Sequence, residues 1–519
     1  MKASIREQLR RRKRRSAARL RQMNLDHYGQ PVLRASNIQY EIAERNRAIS
    51  AGGIGAIHLM VQKLGLPEVI NQYVPLLRLN LPYTESDHVL NIAYNLLAGG
   101  TRMEHIDQRR QDEVFLDALG AERIPGATTA RDFCQRFDDA DVLGLMEALN
   151  EVRLKVWSQQ PDAFFDEAVL DADGTIAATL GQCKQGMERT YDGQWGFHPL
   201  VLSLSNTHEP LYLINREGNR PSHEDAYLYY DRAITLCRRG GFRRITLRGD
   251  TDFSQTTHLD RWDQDHVEFI FGYDAQANLV RLAEALPPEA WKTLERPRPE
   301  PAGPPRQRPE NVKQELVVAH EYENLRTEEE FVAEFRYRPT ACRRDYRMVV
   351  TRKRISVHRG QQYLLDKTRM FFHITNKTEP TAEQILLAPQ GADGRCNHEN
   401  DIDQLKHGVR AMDMPTNKLV SNGAYMVMAS LAWTLKVWFG LLLPEGGPWA
   451  ERRQAEKHKV QRLEFRSFLD AVIQLPCQIV RTSRQIVYRF LSWSPWQEIF
   501  FRFLDVLAKL DVRTVRRQC

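Results

Sequence analysis

The spacing of apolar residues changes several times along this 519-residue chain. From Ile42 to about Ser158 they recur every three or four positions between Gly and Pro breaks, which predicts a run of short helices. From Ala163 to Asp274 the apolar or β-branched runs are shorter and end in turn signals, which predicts strands. A helix with a Ser cap is predicted among them over Ser222 to Arg239. This alternation predicts a mixed sheet covered by helices.

The pattern changes again in the second half of the chain. A Pro-rich stretch from Pro287 to Pro309 excludes a regular helix or a central strand. Alternating runs from Glu315 to Ile374 predict a β-rich insertion, and helix signals return after Thr381 and continue to the C-terminus. The apolar run from Gly423 to Leu443 is about as long as a membrane span, but it contains Lys436 and several polar residues, which favours a buried core helix.

The predicted organisation therefore has six parts. They are a basic N-terminal arm (1–35), a helical, DNA-binding domain (36–160), the first part of an α/β core (161–284), a Pro-rich linker with a β-rich insertion (285–380), the second part of the core (381–450) and a basic helical C-terminal segment (451–519).

Charge is distributed unevenly over these parts. Residues 1–35 contain eleven basic and two acidic side chains, and residues 451–519 contain fourteen and seven, so the middle of the chain is acidic although the whole carries +6. The arginine-rich run has no apolar partner face and predicts a mobile polycationic arm that follows phosphate backbones, with a solvated tail as the alternative. Its residues are Arg10, Arg11, Arg12, Lys13, Arg14 and Arg15.

Other features of the composition limit the class of protein. The chain is 42% hydrophobic and 27% charged, which is typical of folded globular proteins. Seven scattered cysteines without a C-x-x-C pair argue against a disulfide framework and a thiolate zinc site. The first twenty residues are basic, so no secretory signal is predicted. We therefore expect a cytoplasmic protein without a membrane partner.

Acidic residues end two of the predicted strands. Asp171 and Asp173 lie two apart at the end of the first core strand, so a pleated strand points both to the same face. Asp250 and Asp252 end another apolar strand in the segment RITLRGDTDF. Each pair alone also fits an ordinary strand-to-turn stop.

A third acidic position lies on a later predicted helix. Arg395, Glu399, Ile402 and Lys406 recur at four, three and four residues and share one face. The alternative is a surface Arg–Glu pair contributing about 0.3–0.5 kcal/mol. Together, however, carboxylates from two strand ends and one helix are what a paired Mg²⁺ or Mn²⁺ site needs for phosphodiester chemistry, with Arg395 and Lys406 facing phosphate charge.

The order of these motifs is similar to that of a known family. LDADGT, then FHPL, then LRGDTDF, then R-x-x-x-E-x-x-x-x-x-x-K resembles the DDE transposases of bacterial insertion sequences, in particular the insertion-sequence thirteen-eighty type within the insertion-sequence-four group. The resemblance extends to the upstream segments AGGIGAIHLMVQKLGL and IPGATTARDFCQRF. It implies an RNase H-like core interrupted by a β-rich insertion between the second and third carboxylates.

The resemblance also implies roles for individual residues. Asp173, Asp250 and Glu399 match the three catalytic, metal-binding carboxylates, with Asp171 as the alternative to the first. Arg395 and Lys406 match the basic residues of the family's Y-R-E-K signature and are expected to contact DNA. Two positions differ from the family: Ala392 stands in place of the signature tyrosine, and Asp252 makes a D-T-D segment.

The function that the resemblance implies is cut-and-paste transposition. The enzyme would bind terminal inverted repeats of double-stranded DNA as a homodimer, cleave the phosphodiester at each end with two Mg²⁺ or Mn²⁺ ions, and join the freed 3′-hydroxyls to target DNA. Two alternatives stay open, an RNase H-like nuclease without strand transfer and a catalytically inactive DNA-binding protein. The three carboxylates favour the enzymes over the binding protein.

Overall fold

The computed structural model describes residues 3–21, 39, 47–79, 82–181, 183–296, 323–359, 362–482 and 485–510. The Pro-rich stretch from residue 297 onward, the beginning of the predicted β-rich insertion and residues 22–38, which include the end of the predicted arm, lie outside the described residues.

The described N-terminal part is helical apart from one short strand, as predicted. The apolar spacing of three and four puts Ile54, Ile57, Val61 and Leu64 on one buried face of its second helix. The elements are α1 (Ala3–Arg21), β1 (Ala48–Ile49), α2 (Ile54–Leu64), α3 (Leu66–Tyr73), α4 (Glu85–Leu97), α5 (His105–Gln111), α6 (Glu113–Leu119), α7 (Ala127–Cys134) and α8 (Asp139–Trp157).

The α/β core follows directly. Its elements are β2 (Glu167–Gly174), β3 (Ala177–Ala178), β4 (Glu188–Arg189), β5 (Trp195–Phe197), β6 (Leu200–Leu204), β7 (Glu209–Ile214), α9 (Ala226–Gly240), β8 (Arg244–Gly249), α10 (Thr256–Gln264), β9 (Glu268–Tyr273) and α11 (Ala277–Glu284). The helix predicted from Ser222 begins only at Ala226, because Asp225 takes the left-handed conformation with φ 57°. Strands β3, β5 and β4 form a small separate sheet.

The predicted β-rich segment extends the core sheet. Its strands are β10 (Lys292–Thr293), β11 (Glu323–Tyr337), β12 (Tyr346–Arg359) and β13 (Gln362–Thr375). Strand β13 pairs antiparallel with β9, which places Phe372 opposite Tyr273. The result is one nine-stranded mixed sheet of order β10-β11-β12-β13-β9-β8-β2-β6-β7, in which β8 runs parallel to both of its neighbours.

After the sheet the chain is helical again, except for two strands near its C-terminal end. The elements are α12 (Ala382–Leu387), α13 (Cys396–Asp403), α14 (Leu419–Leu441), α15 (Ala450–Gln461), α16 (Phe465–Phe468), β14 (Cys477–Arg481), β15 (Ile486–Phe490) and α17 (Gln497–Lys509). By length and composition α14 could span a membrane, but its apolar window is entirely buried inside the protein. The predicted core helix is therefore confirmed.

The prediction of a wholly helical C-terminal segment is wrong. Strands β14 and β15 pair antiparallel, and β14 also pairs with β1 from the N-terminal part. Pro476 ends the preceding helical turn, and the β-branched residues after it favour extended structure. This small sheet joins the two ends of the chain.

Candidate active site

The two aspartates of β2 have different partners. Asp171 is fully buried and accepts hydrogen bonds of 2.7 Å from Nε and from Nη2 of Arg248. Arg248 also donates to the carbonyl oxygen of Gly391 at 2.7 Å and to Oγ of Ser205 at 2.9 Å. Both carboxylate oxygens of Asp171 are thus bound by a buried arginine, which gives Asp171 a structural role. Asp173 is the other aspartate of β2 and lies closer to the end of the strand.

Asp173 and Asp250 lie at neighbouring strand ends. Strands β2 and β8 are parallel and adjacent, with Asp171 opposite Arg248, so the two carboxyl ends meet at one edge of the sheet. Burial, and then the charge of Asp173, raise the pKa of Asp250 to about 6. The backbone N–H of Asp252 donates to Oδ1 of Asp250 at 3.0 Å, so the D-T-D segment forms a short capped turn.

Arg395 contacts Asp173 of this pair from the turn that precedes α13. It ends a 3₁₀ turn (Ala392–Arg395) that leads into α13, and its Nη1 donates to Oδ2 of Asp173 at 2.9 Å. Burial lowers the pKa of Arg395, but the charges of Asp173 and Asp250 outweigh that effect and raise it. Ala392, at the position of the family's signature tyrosine, is half-buried on the same turn.

Glu399 stands apart from the two aspartates. It lies one turn after Arg395 on α13 and is exposed, and among the described residues no metal-ligand group of three side chains joins it to Asp173 and Asp250. Lys406 lies farther along, in a π-helical turn (Gln404–Gly408). Burial lowers the pKa of Lys406, opposed by the charges of Asp403 and Asp173. Arg395 and Lys406 therefore both act on Asp173 electrostatically, while Glu399 does not complete a cluster.

Asp173 and Asp250 provide part of the set of ligands that a divalent cation needs. Asp173 and Asp250 offer hard oxygen donors side by side, and a cation between them would offset the burial and the repulsion that together raise the pKa of Asp250. Over the ranges that the structure describes, no three His, Cys, Asp or Glu side chains come together closely enough to bind one metal ion. The pair thus fits the cation, and the predicted third ligand is not in place.

A cleft of about 450 Å³ opens beside Asp250. Its walls come from the ends of β8, β9 and β13 and from the turn that carries Arg395, and they include Tyr273, Phe371 and His373. Burial lowers the pKa of His373 to about 4, so this ring is neutral at physiological pH. The cleft therefore combines aromatic surface with the carboxylate of Asp250 and the guanidinium of Arg395.

Two residues at the site escaped the sequence prediction. Arg248 is a charged residue inside an apolar strand, and that anomaly is a signal that a buried partner exists. His198, from the FHPL motif, has Nδ1 2.7 Å from the carbonyl oxygen of Arg220, and a Cβ added at Gly174 would lie only 2.8 Å from its Nε2. Gly174 of the D-G-T segment thus leaves room for this histidine next to Asp173.

The predicted polycationic arm is a docked helix rather than a mobile chain. Along α1 the more covered residues Ile5, Leu9, Arg12 and Ser16 recur at helical spacing, which gives the helix a partner face that the sequence pattern did not predict. Arg12 donates to the carbonyl oxygen of Phe490, at the end of β15. The outward positions are exposed and basic: Arg10, Arg11, Lys13, Arg14 and Arg15.

Comparison with known proteins identifies the family. The sequence matches the family model described as Transposase DDE domain group 1 over residues 31–512. No curated protein matches the chain. Among solved structures it is similar to a piggyBac transposase, seen by cryo-electron microscopy in a synaptic complex with hairpin DNA, with 11% identity, 82% of each chain covered and a TM-score of 0.34. Because the family model spans almost the whole sequence, the chain belongs to the DDE transposase family and is a DDE transposase enzyme.

Proposed function

We propose that this transposase cuts double-stranded DNA at the terminal inverted repeats of a mobile element and joins the freed 3′-hydroxyls to target DNA. The observation that carries the proposal is the meeting of Asp173 and Asp250 at neighbouring strand ends, with Arg395 bound to Asp173. The motif order LDADGT, FHPL, LRGDTDF and R-x-x-x-E supports assignment to the insertion-sequence thirteen-eighty type with an RNase H-like core.

Asp173, Asp250 and Glu399 are the residues that we propose to hold Mg²⁺ or Mn²⁺. When bound, such ions supply Lewis acidity to the scissile phosphate and lower the pKa of a coordinated water or hydroxyl. Asp171 is excluded from this role in the proposal because Arg248 occupies both of its oxygens. Glu399 requires a local movement of α13, since it is exposed and separate from the aspartates.

The chain's own residues perform the remaining tasks. The neutral imidazole of His198, fixed by the Arg220 carbonyl, keeps Nε2 as an acceptor beside the strand end. Arg395 and Lys406 provide positive charge for the phosphate of the DNA end. The carboxyl end of β8, which Asp250 follows directly, is held in place because β8 is buried on both faces and hydrogen-bonded to a strand on each side.

The basic ends of the chain form the proposed DNA-holding surface. Helix α1 packs against the end of β15, and Lys13 Nζ lies 5.7 Å from the ring centre of Trp493. Arg6 and Arg10 of α1 line one groove of about 340 Å³ together with Arg452, Arg453 and Arg502, and three carboxylates, Glu456, Glu498 and Asp505, line the same groove. Such a surface holds DNA through phosphates and steers it without reading the base sequence. We propose a homodimer as the form that pairs two ends, and the bacterial nucleoid as the place of action.

The test is an assay in vitro with a labelled fragment carrying the element's own ends, a supercoiled target, and Mg²⁺ or Mn²⁺. Wild type is compared with Asp173→Asn, Glu399→Gln and the distant control Arg261→Gln, whose partner Asp231 lies on the surface. End cleavage and joining in wild type and the control, lost in both carboxylate variants, supports the proposal. End cleavage without joining favours the nuclease, and salt-sensitive binding without cleavage favours an inactive DNA-binding protein.

A further inference from the structure

Arg395 occupies one oxygen of a carboxylate that we propose as a metal ligand. Its Nη1 lies 2.9 Å from Oδ2 of Asp173, and the two side chains are only 22% and 17% exposed. The charges of Asp173, Asp250 and Asp171 all act on it. Arg395 is therefore a cation that compensates the strand-end carboxylates by direct contact.

The negative charges of Asp173 and Asp250 cannot balance both Arg395 and a bound divalent cation. Arg248 already balances Asp171, whereas Asp173 and Asp250 face Arg395, with Lys406 also acting on Asp173 and Asp252 acting on Asp250. A divalent cation on that pair balances it completely, and Arg395 then adds an excess positive charge in a partly desolvated place. A bound divalent cation and the Arg395 guanidinium therefore compete for the same oxygen of Asp173.

The two arginines differ in their freedom to leave. Arg248 is almost completely buried and also holds the carbonyl oxygens of Pro389 and Gly391, which fix the turn before Arg395. The Arg395 side chain lies at the end of that turn, beside a cleft large enough to receive it in another rotamer. The backbone of the turn can thus stay in place while the Arg395 guanidinium moves.

We propose that Arg395 is an internal counter-ion that exchanges partners: it binds Asp173 in the metal-free enzyme and releases it when a divalent cation binds, and the freed guanidinium then contacts a phosphate of the DNA. Arg395 is a positioning residue for Asp173 before the ion arrives. As a result, the Arg395 guanidinium is available to a DNA phosphate only after a divalent cation has bound. This inference rests on the proposed function, because it takes Asp173 and Asp250 as the metal-binding pair.

The experiment measures binding of Mn²⁺ alone to the purified full-length chain, with free Mn²⁺ followed by electron paramagnetic resonance. Removing the competing cation in Arg395→Gln is expected to tighten Mn²⁺ binding, on the order of tenfold. Arg395→Lys keeps the charge without the planar fork and is expected to bind Mn²⁺ with an affinity between those of wild type and the glutamine variant. Arg261→Gln is the matched control, which removes an arginine paired with Asp231 away from the site.

Thermal unfolding gives a second readout that does not depend on catalysis. In EDTA, Arg395→Gln is expected to melt below wild type, because Asp173 and Asp250 then repel each other without compensation, and Mn²⁺ is expected to raise its melting temperature more than that of wild type. If Arg395→Gln does not fold, the same comparison is made with Arg395→Lys, for which smaller differences in melting temperature are expected.

The outcomes separate this inference from the proposed function. If wild type binds Mn²⁺, Asp173→Asn abolishes binding, and the Arg395 variants bind no more tightly than wild type, the exchange is overturned while the metal site stands. If wild type binds no Mn²⁺, both the exchange and the proposed metal site are overturned. Tighter binding in Arg395→Gln, with Arg261→Gln unchanged, supports the exchange.

Discussion

Arg248 and Asp171 form a buried ion pair in which Nε and Nη2 of the arginine each donate a 2.7 Å hydrogen bond to a different carboxylate oxygen. The pair joins β8 to β2, the two strands whose ends carry Asp250 and Asp173. It therefore sets the position of the proposed catalytic aspartates without taking part in the chemistry.

Removing the carboxylate of Asp171 is expected to destabilise the fold strongly. In Asp171→Ala, Arg248 stays buried without its counter-charge, and we expect the free energy of unfolding to fall by about 3–5 kcal/mol, measured by urea denaturation. Asp173→Ala is the matched change two residues away, where the side chain is 17% exposed and its partner Arg395 keeps some contact with solvent, and we expect a smaller loss of about 1–3 kcal/mol. Equal losses in the two variants would contradict the division of roles.

A second buried carboxylate connects the helices before and after the sheet. Glu209 is fully buried and accepts hydrogen bonds from Arg153 Nε at 3.0 Å, Trp157 Nε1 at 2.9 Å and Trp438 Nε1 at 2.9 Å. We expect Glu209→Ala to cost about 3–5 kcal/mol of unfolding free energy, because Arg153 loses its buried partner. The control is Glu217→Ala, because Glu217 is half-exposed and pairs with Arg220 at the surface. This change is expected to lower the free energy of unfolding by less than about 1 kcal/mol.

The stability of the metal-free protein is expected to depend on pH through Asp250. Burial and the charge of Asp173 raise its folded pKa from the ordinary 3.8 to about 6. Between these values the folded state binds more protons than the unfolded state, so this group makes stability fall as pH rises from about 4 to about 6, with no further loss above. In EDTA, the melting temperature of Asp250→Asn relative to wild type should therefore increase over that interval and then level off.

The pH prediction has its own control. Asp231→Asn removes the charge of a half-exposed carboxylate that pairs with Arg261 and accepts a hydrogen bond from Trp262 Nε1, and it is expected to show no such growing advantage between pH 4 and pH 6. A constant difference between Asp250→Asn and wild type across the interval would show that Asp250 titrates at its ordinary pKa.

Charge on the outward face of α1 is expected to govern the salt dependence of DNA binding. Replacing Arg10, Arg11, Arg14 and Arg15 by Gln should weaken binding to any duplex and reduce the slope of log K against log salt by about 0.9 for each phosphate that the variant no longer neutralises. Fluorescence anisotropy over a salt series measures both quantities. Arg232→Gln with Arg239→Gln removes arginines already paired with Glu147 and Glu151, so an equal weakening there would argue against a specific role for α1.

The fold was predictable where short-range patterns decide it. Apolar spacing indicated the helices ahead of the sheet, β2, β8 and β9, and the buried helix α14, because periodicity reports which face of an element is covered. It was misleading for α1, whose partner face is only a sparse stripe of Ile5, Leu9, Arg12 and Ser16. It also missed the hairpin of β14 and β15, which is joined through β14 to β1, more than 400 residues earlier.

The sequence alone indicated candidate residues: acidic strand ends at Asp171, Asp173 and Asp250, a cationic helix start at Arg395, and basic chain ends. Only the folded structure shows which of these side chains lie together. Asp171 is bound by Arg248 across 77 positions, Arg395 reaches Asp173 across 222, and Glu399 stands apart from both aspartates. These relationships depend on strand order, register and the path of the turn before α13, and no local pattern encodes them, because the interaction of two charges follows their distance in space and not along the chain.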